Sequence, residues 1–463
     1  MKSSDQFDAI VIGAGQGGGP LSTALGAAGM RTAIIERKHV GGTCINEGCT
    51  PTKTMIASGR VAYLARRAAD YGVHVGAVSI DLKKVRERKR EIVESFRSGS
   101  QSRIEKAQNV ELIFGDATFA GPKTVAVRMN NGTARTLTGN HIFINAGARA
   151  GRPKLPGLDG VQALDNVSIM ELDAVPEHLL VLGGGYIGLE FGQLFRRFGS
   201  RVTIVQSEGQ LLGHEDPDVA EEITKILRDD GVEILLNANA TNVSQAEGGI
   251  QLNVRRVSGA VSLSGSHLLV ATGRVPNTDT LNLASAGIDI DDRGFIKVND
   301  RLETSAEGVY ALGDIKGGPA FTHISYDDYR ILRANVIEKK SATTKDRFVP
   351  YTVFIDPQLG RIGLTETEAR RDGREIWVTK LPMSHVARAI EVDETRGFMK
   401  AIVDAKTKQI LGAAILGIEG GEIMSAVEIA MMGKLPYTSL RDGTFAHPTL
   451  AESLNNLFMG MGE

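Results

Sequence analysis

The chain has 463 residues, which suggests about three domains, and 42% of them are hydrophobic, ample for buried cores. A net charge of −2 without a basic tract excludes a binder held by charge to nucleic acid or to an anionic membrane surface. Glycine is abundant at 54 residues and aromatics are scarce at 5%, which favours a glycine-turned α/β protein over an all-β one.

Residues 1–6 lack the apolar core of a secretion signal, and no apolar run is long enough to cross a bilayer. Two cysteines make no secreted disulfide framework, so a cytoplasmic protein is expected. Phe7–Ile12 reads as a short buried strand. It leads into Gly13-Ala14-Gly15-Gln16-Gly17-Gly18, then a helix to about Ala28, then a strand from Arg31 that ends at Glu36. In this order Gly13 makes the tight turn, Gly15 admits a pyrophosphate and Gly18 lets the helix pack on the strand. The helix N-terminus favours phosphate, and Glu36, 21 residues past Gly15, is placed for ribose hydroxyls.

Both cysteines of the chain fall in the next stretch, Gly41-Gly42-Thr43-Cys44-Ile45-Asn46-Glu47-Gly48-Cys49-Thr50-Pro51-Thr52-Lys53. The Gly-Gly turn frees the backbone for close approach to a flat or charged group. Thr50 reads as a helix N-cap and Pro51 as the first helical residue. A helix N-terminus lowers a nearby thiol pKa. Taken alone, the pair is compatible with two core thiols, a static bridge or a redox couple.

Residues 80–108 read as a long exposed helix whose charges form a solvated face. Residues 111–145 alternate as strands do. Then the first unit recurs. Leu179–Leu182 leads into Gly183-Gly184-Gly185-Tyr186-Ile187-Gly188, a helix and a strand over Arg201–Val205. Gly13, Gly15 and Gly18 match Gly183, Gly185 and Gly188 at a constant offset of 170, and Glu36 falls on Gln206. Glycine turns alone do not repeat strand, helix, strand and terminal position in register, so two nucleotide sites are expected. Val309–Leu312 is a strand running into Gly313-Asp314, and a helix starts within 319–323, where His323 is read as structural. From about Lys345 antiparallel strands with intervening helices indicate a separate α+β domain.

The cysteine stretch, with Cys44 and Cys49 framed by Gly41-Gly42-Thr43 and by Pro51 and Lys53, resembles the active-site signature of the class I pyridine nucleotide–disulfide oxidoreductases. These include dihydrolipoyl dehydrogenase, glutathione reductase, mercuric reductase and the reactive-chlorine-resistance flavoproteins. The resemblance runs almost to the C-terminus, where residues 440–458 are most like the last branch and dihydrolipoyl dehydrogenase. It implies two Rossmann-like dinucleotide-binding domains, for FAD and NAD(P), and a C-terminal α+β dimerisation domain. The boundaries expected are 1–150 and 272–344 for FAD, 151–271 for NAD(P) and 345–463 for the interface domain. A homodimer that binds FAD and a nicotinamide nucleotide and reduces a small-molecule acceptor follows, with no metal site, nucleic acid or membrane.

The resemblance also implies roles. Cys49 faces the flavin and Cys44 exchanges with substrate. His447 supplies the base that thiol–disulfide exchange needs, and Glu452 fixes its tautomer. Lys53 and Glu190 pair beside the flavin. Gly13, Gly15, Gly18, Glu36, Gly42, Thr43, Lys53, Gly147 and Asp314 contact FAD. Gly183, Gly185, Tyr186, Gly188, Gln206 and Gly273 contact the nicotinamide nucleotide. Many NAD-preferring relatives carry an acid where Gln206 stands, and NADP-preferring ones carry Arg nearby. Gln206, Ser207 and Glu208 include no Arg, so NADH is expected, with NADPH as the other possibility. Phe445 replaces a His usual in dihydrolipoyl dehydrogenase, and the extra C-terminal cysteine pair of mercuric reductase is absent. The acceptor expected is a low-molecular-weight disulfide first and Cu(II) or Hg(II) second. A redox-sensing flavoprotein without turnover is the competing reading.

Overall fold

The computed structural model describes residues 5–461; residues 1–4, part of the segment read as lacking a secretion signal, lie outside them. The chain forms two compact units. One holds residues up to Met55, Lys84–Gly151 and Gly273–Arg347; the other holds Ile56–Lys83, Arg152–Thr272 and the chain from Phe348 onward.

The first unit is built on a parallel sheet. Its strands lie in the order Val110–Gly121, Thr32–Glu36, Asp5–Ile12, Ala134–Ile144, Val309–Ala311. Parallel strands are covered on both faces, which is why Ala-Ile-Val-Ile and Thr-Ala-Ile-Ile runs replace alternation here. All five residues of Thr32–Glu36 are buried. Val110–Gly121 serves two partners. Its first five residues pair parallel with Thr32–Glu36, and the rest pair antiparallel with Thr124–Met129. Helix Leu82–Glu105 buries Leu82, Val93 and Ile104, eleven residues apart, close to three turns. That narrow stripe leaves most of its charges in solvent, as the sequence indicated.

The second unit repeats the pattern. His267–Val270, His178–Leu182, Arg201–Val205 and Glu233–Leu235 form a parallel sheet in that order. A three-stranded meander over 239–265 precedes its last strand. The C-terminal part is a five-stranded antiparallel sheet, ordered Tyr351–Val353, Gln358–Gly363, Ile410–Gly417, Phe398–Asp404, Ile376–Pro382. Sequence patterning missed Ile376–Pro382. Its burial is weak and irregular, so it lacks a period-two signal. Helices Gly420–Met432 and Ser453–Met459 cover the sheet with Val427, Met431, Leu457 and Phe458.

Buried charge ties the C-terminal sheet to the start of helix Pro217–Asp229. Lys400, 1% exposed, places its ammonium 3.0 Å from Asp216, 2.9 Å from Asp218 and 2.8 Å from Glu366. Asp216 also accepts from the backbone N–H groups of Glu366 and Thr367, both at 2.9 Å. Burial alone would raise its pKa. The Thr367 hydroxyl, these two N–H groups and Lys400 outweigh that and bring it down to about 2. Nearby, buried Arg361 meets Glu215 at 2.9 Å and donates to the Ala413 carbonyl at 2.6 Å.

Removing one member of such a cluster leaves buried charge uncompensated. Lys400→Ala should cost about 3 kcal/mol, read as a lower denaturant midpoint. The Asp216 contribution should be complete above the ordinary carboxylate pKa of about 4 and be lost as the pH falls towards 2. An unchanged midpoint would show that the carboxylates find other partners.

Candidate active site

Two glycine turns form the first part of the site. Gly13 and Gly183 adopt φ of 101° and 114°, and each passes over the end of a neighbouring strand. A β-carbon on Gly18 would collide with the Gly13 carbonyl, and one on Gly188 with the Gly183 carbonyl. The repeat seen in the sequence extends to hydrogen bonds. The Ala14 N–H donates to the Glu36 carboxylate at 3.0 Å, and the Gly184 N–H donates to Gln206 Oε1 at 2.9 Å. These are matching positions at the offset of 170.

The turns also differ. In the first, Asn145 Oδ1 accepts from the Gly18 N–H at 2.9 Å while its amide donates to the Leu312 carbonyl at 2.9 Å. Gly183 instead packs on Ala271, which has no side-chain acceptor. Asn145 lies in the stretch 143–147, which in sequence resembles the family's strand-end turn, but nothing local marks its side chain as the partner of the Gly18 N–H.

The residues present fit FAD. The N–H groups of Gly15, Gln16 and Gly17 stand at the start of helix Gly18–Ala27, suited to phosphate oxygens. Glu36 accepts from Ala14 and, at 2.9 Å, from the Lys38 N–H, so each carboxylate oxygen keeps capacity for a ribose hydroxyl. Gly42, at φ 62°, lies so close to Gly15 that a β-carbon there would stand 2.7 Å from the Gly15 Cα. Gly147 gives its carbonyl to the Asn277 N–H at 3.0 Å, and Gly273 gives its carbonyl to the Gly151 N–H at 2.9 Å. Asp314 pairs with Arg274 at 2.7 Å. The turn that carries it is pinned by Asp328, fully buried, which accepts from the Gly313 N–H at 2.8 Å and pairs with Arg347 at 2.6 Å. Asp328 was not read from the sequence, where it is one more helix charge.

The cysteines sit on two consecutive helices. Cys44 lies in Gly42–Asn46 with Thr43 beside it, and Cys49 is the first residue of Cys49–Arg66. The helix therefore starts one residue before the N-cap expected at Thr50. Pro51 lies inside the first turn, where its missing N–H costs nothing, and the thiol itself occupies the positive helix end. Cys44 is half-buried and Cys49 exposed. Hydrogen bonding from Cys49, then burial, hold the Cys44 thiol far above the ordinary thiol range, against smaller pulls from Thr322 and Lys53.

In the second unit His447 Nδ1 lies 2.9 and 3.0 Å from the two Glu452 oxygens. A carboxylate can only accept, so the proton rests on Nδ1 and Nε2 is left basic. His447 is 73% exposed and Glu452 only 19%. Thr449 closes the loop, donating to the Ala446 carbonyl at 2.8 Å and accepting from the Glu452 N–H at 3.2 Å. Asn455 holds the preceding turn through the Leu440, Arg441 and Gly443 carbonyls. A pocket of about 420 Å³ opens here, lined by Arg441, His447, Glu452, Asn456 and Met459 among others.

Glu190 is buried, and its carboxylate accepts from the Phe354 N–H at 2.9 Å. Lys53 is half-buried on the helix that Cys49 begins. Tyr186 starts helix Tyr186–Phe198 and Gly185 is its N-cap, beside the second glycine turn.

The family model for pyridine nucleotide-disulphide oxidoreductases matches residues 7–328, and the model for that family's dimerisation domain matches 349–458. The probable pyridine nucleotide-disulfide oxidoreductase RclA of Escherichia coli strain K12 is 40% identical over 458 residues, 98% of this chain and 99% of that protein. Mercuric reductase of Bacillus cereus is 35% identical over 451 residues, 97% of this chain and 70% of that one. The solved Cu(II) complex of the HOCl-induced flavoprotein disulfide reductase RclA from Escherichia coli matches with a TM-score of 0.89. Its identity is 39%, over 97% of this chain and 99% of that one. Among the described residues, no helix is long and apolar enough to cross a membrane.

The contact between Gly15 and Gly42 makes the flavin cradle testable. Gly42→Ala should purify with much less flavin, read as the ratio of visible to protein absorbance. Gly29→Ala also has positive φ but no atom within 4 Å of the new β-carbon, and should keep its flavin. Equal flavin content in the two variants would show that the cradle tolerates a side chain.

Proposed function

The chain belongs to the pyridine nucleotide–disulfide oxidoreductases, and on that premise we propose that it reduces a small acceptor through the Cys44–Cys49 pair. It uses FAD and a nicotinamide nucleotide. The flavin, when bound, supplies a two-electron relay between nicotinamide and the cysteines. The observation that carries the reading is the division of labour in the pair. Cys49 begins a helix whose positive end favours a thiolate there, while Cys49 and burial hold the Cys44 thiol up, so that Cys44 needs a base. His447, with Nε2 basic and Nδ1 fixed by Glu452, suits that base. It takes the proton from Cys44, whose thiolate attacks one sulfur of the acceptor. The departing thiolate receives the proton back from His447. Cys49 then attacks Cys44, releases the second acceptor thiolate and re-forms the disulfide. Lys53 and Glu190 are assigned to flank the flavin, with Gly147 and Asp314 at its chain and Tyr186, Gly185, Gly188 and Gly273 about the nicotinamide nucleotide.

The sheets support a division into an FAD domain over 1–150 and 272–344, an NAD(P) domain over 151–271 and an interface domain over 345–463. NADH serves at least as well as NADPH. The Gln206 oxygen is committed to the Gly184 N–H and its amide donates to the Gln210 carbonyl at 3.4 Å, so the side chain keeps one uncharged N–H for a ribose and offers no cation to a phosphate. Glu208, two residues on, disfavours a phosphate further.

A metal ion is the second acceptor, favoured by the Cu(II) complex of the similar flavoprotein. Steady-state assays with NADH and NADPH against lipoamide, glutathione disulfide, Cu(II) and Hg(II) separate the two. With His447→Ala, disulfide turnover should fall by about 10²–10⁴-fold, as on loss of a general acid–base, whereas metal-ion turnover should survive. Equal loss for both would place His447's action on the cysteine pair itself.

The dimerisation domain supports a homodimer in which His447 and Glu452 serve the partner subunit's Cys44 and Cys49. Inactive Cys44→Ser and inactive His447→Ala chains, refolded together, should then regain activity through one intact site per mixed dimer. No recovery would mean that both halves of the site come from one chain.

A further inference from the structure

Each glycine turn is braced by the chain that follows its second strand, and the two braces differ. In the first half the Ala14 carbonyl accepts from the Gly41 N–H at 2.8 Å. In the second the matching carbonyl, that of Gly184, accepts from the Leu212 N–H at 3.0 Å. Both donors lie in the left-handed region, at φ 105° and 46°. Glycine takes that conformation freely, whereas leucine there crowds its β-carbon against the backbone. The second brace is therefore strained, and such strain persists only where the surroundings over-determine the backbone.

The contacts of the strap 206–216 show what holds it. Gln206 accepts from the Gly184 N–H, and fully buried Leu211 packs so close that a β-carbon on Gly184 would stand 2.7 Å from its side chain. Past Leu212 the chain turns. The Glu215 N–H donates to the Leu212 carbonyl at 2.8 Å, and the Gln210 amide donates to the Glu215 carbonyl at 3.0 Å. The Glu215 carboxylate then leaves the strap for the C-terminal sheet. One oxygen accepts from the Tyr351 hydroxyl, and the other pairs with Arg361 at 2.9 Å. Tyr351 and Arg361 stand directly opposite each other in neighbouring strands, so both side chains share one face. The side chains of Arg361 and Glu215 are each only 3% exposed. Burial, then Glu215, raise the Tyr351 pKa, so the hydroxyl keeps the proton that it donates. The next residue, Asp216, is held by Lys400 of the same sheet at 3.0 Å.

We propose that Glu215 is a positioning residue for the nicotinamide nucleotide: Tyr351 and Arg361 of the C-terminal sheet hold its carboxylate, and through it the strap that presses Leu212 and Gln206 onto Gly184. The inference rests on reading the second glycine turn as the nicotinamide-nucleotide site. Glu215 touches no nucleotide. It keeps a strained segment in the one conformation that braces the turn, so the turn meets the nucleotide already formed. Released, the strap relaxes away from the left-handed leucine, and binding must first restore it. That cost falls on nucleotide affinity and leaves the transfer of hydride, once the nucleotide is bound, as it was. The first turn needs no such latch, because a glycine makes its brace.

The test follows flavin reduction in the holoenzyme against NADH concentration, and in parallel against NADPH. Each series gives an apparent dissociation constant and a limiting rate. Tyr351→Phe removes one partner of Glu215, and Glu215→Gln removes its charge. Each should raise the dissociation constant about three- to tenfold, the range of couplings carried through packed networks, with limiting rate and flavin content unchanged. Val427→Ala truncates the core against the same sheet and loses stability without touching the strap, so it should keep the parent constant. Amide exchange in peptides spanning 206–216 should quicken in Tyr351→Phe, and in those spanning 13–28 it should stay at the parent rate. If Glu215→Gln does not fold, Tyr351→Phe, which leaves the Arg361–Glu215 pair in place, decides alone. A dissociation constant unchanged in Tyr351→Phe, or raised as far in Val427→Ala, overturns the proposal. Faster exchange of the strap with no loss of affinity overturns it too. A parent whose flavin is reduced by neither NADH nor NADPH removes the reading of the second turn as a nucleotide site, and this proposal with it.

Discussion

Helix and strand pack so closely at each nucleotide turn that no β-carbon fits between them. Both turns depend on that contact. At Gly18 and again at Gly188, any side chain would strike the carbonyl of the glycine that opens the turn. The approach brings the helix N-terminus over the sheet edge, and it leaves the next N–H aimed at the end of the second strand. Glu36 and Gln206 accept that N–H in the two halves. A difference of one atom, carboxylate oxygen against amide nitrogen, then decides what each turn offers a ribose. Glu36 presents acceptors, and Gln206 presents a donor. The geometry is duplicated while the chemistry has diverged.

Buried charge does a different job in this chain. Lys400, Arg361 and the Arg197–Asp356 pair all join residues of the second nucleotide sheet or its helices to residues of the C-terminal sheet. Such clusters cost desolvation, and hydrophobic replacements of equal volume are often as stable. Their directional partners, including the backbone N–H groups of Glu366 and Thr367 that donate to Asp216, specify one arrangement of the packed elements over its neighbours. Asp328 does the same on a smaller scale in the first unit. It fixes the turn that presents Asp314 by taking the N–H of Gly313.

The cysteine pair shows why a base accompanies it. A thiol lowered far enough to ionise unaided would leave both sulfurs charged or make Cys44 a weaker nucleophile, since nucleophilicity falls with pKa. Here Cys49 and burial push Cys44 in the other direction. A high-pKa thiol is a strong nucleophile once its proton is removed. The His447–Glu452 pair, proposed for that removal, has an exposed imidazole steadied by a carboxylate four-fifths buried.

Much was legible in the sequence because the signals are local. Glycines at fixed spacing between strand and helix, and two cysteines five residues apart between a Gly-Gly turn and a Pro, are short-range constraints on the backbone. They determined the two nucleotide turns, the succession of strand, helix and strand around them, the cysteine stretch and the change to antiparallel strands after Lys345. Even the match of Glu36 to Gln206 followed from spacing alone. The C-terminal strand Ile376–Pro382 was not legible, because weak burial leaves no alternation to read. Nor was the start of the Cys49 helix, where a Thr-Pro pair imitates a cap two residues too late. What only the tertiary structure decided is which side chains from distant segments finish each site. Asn145 closes the first turn from 127 residues beyond Gly18, and Thr322 meets Cys49 across 273 residues. A hydroxyl becomes a partner for a sulfur only when two helix ends are brought together. No local pattern marks it in advance, because the contact is set by packing of the sheet and helices between them.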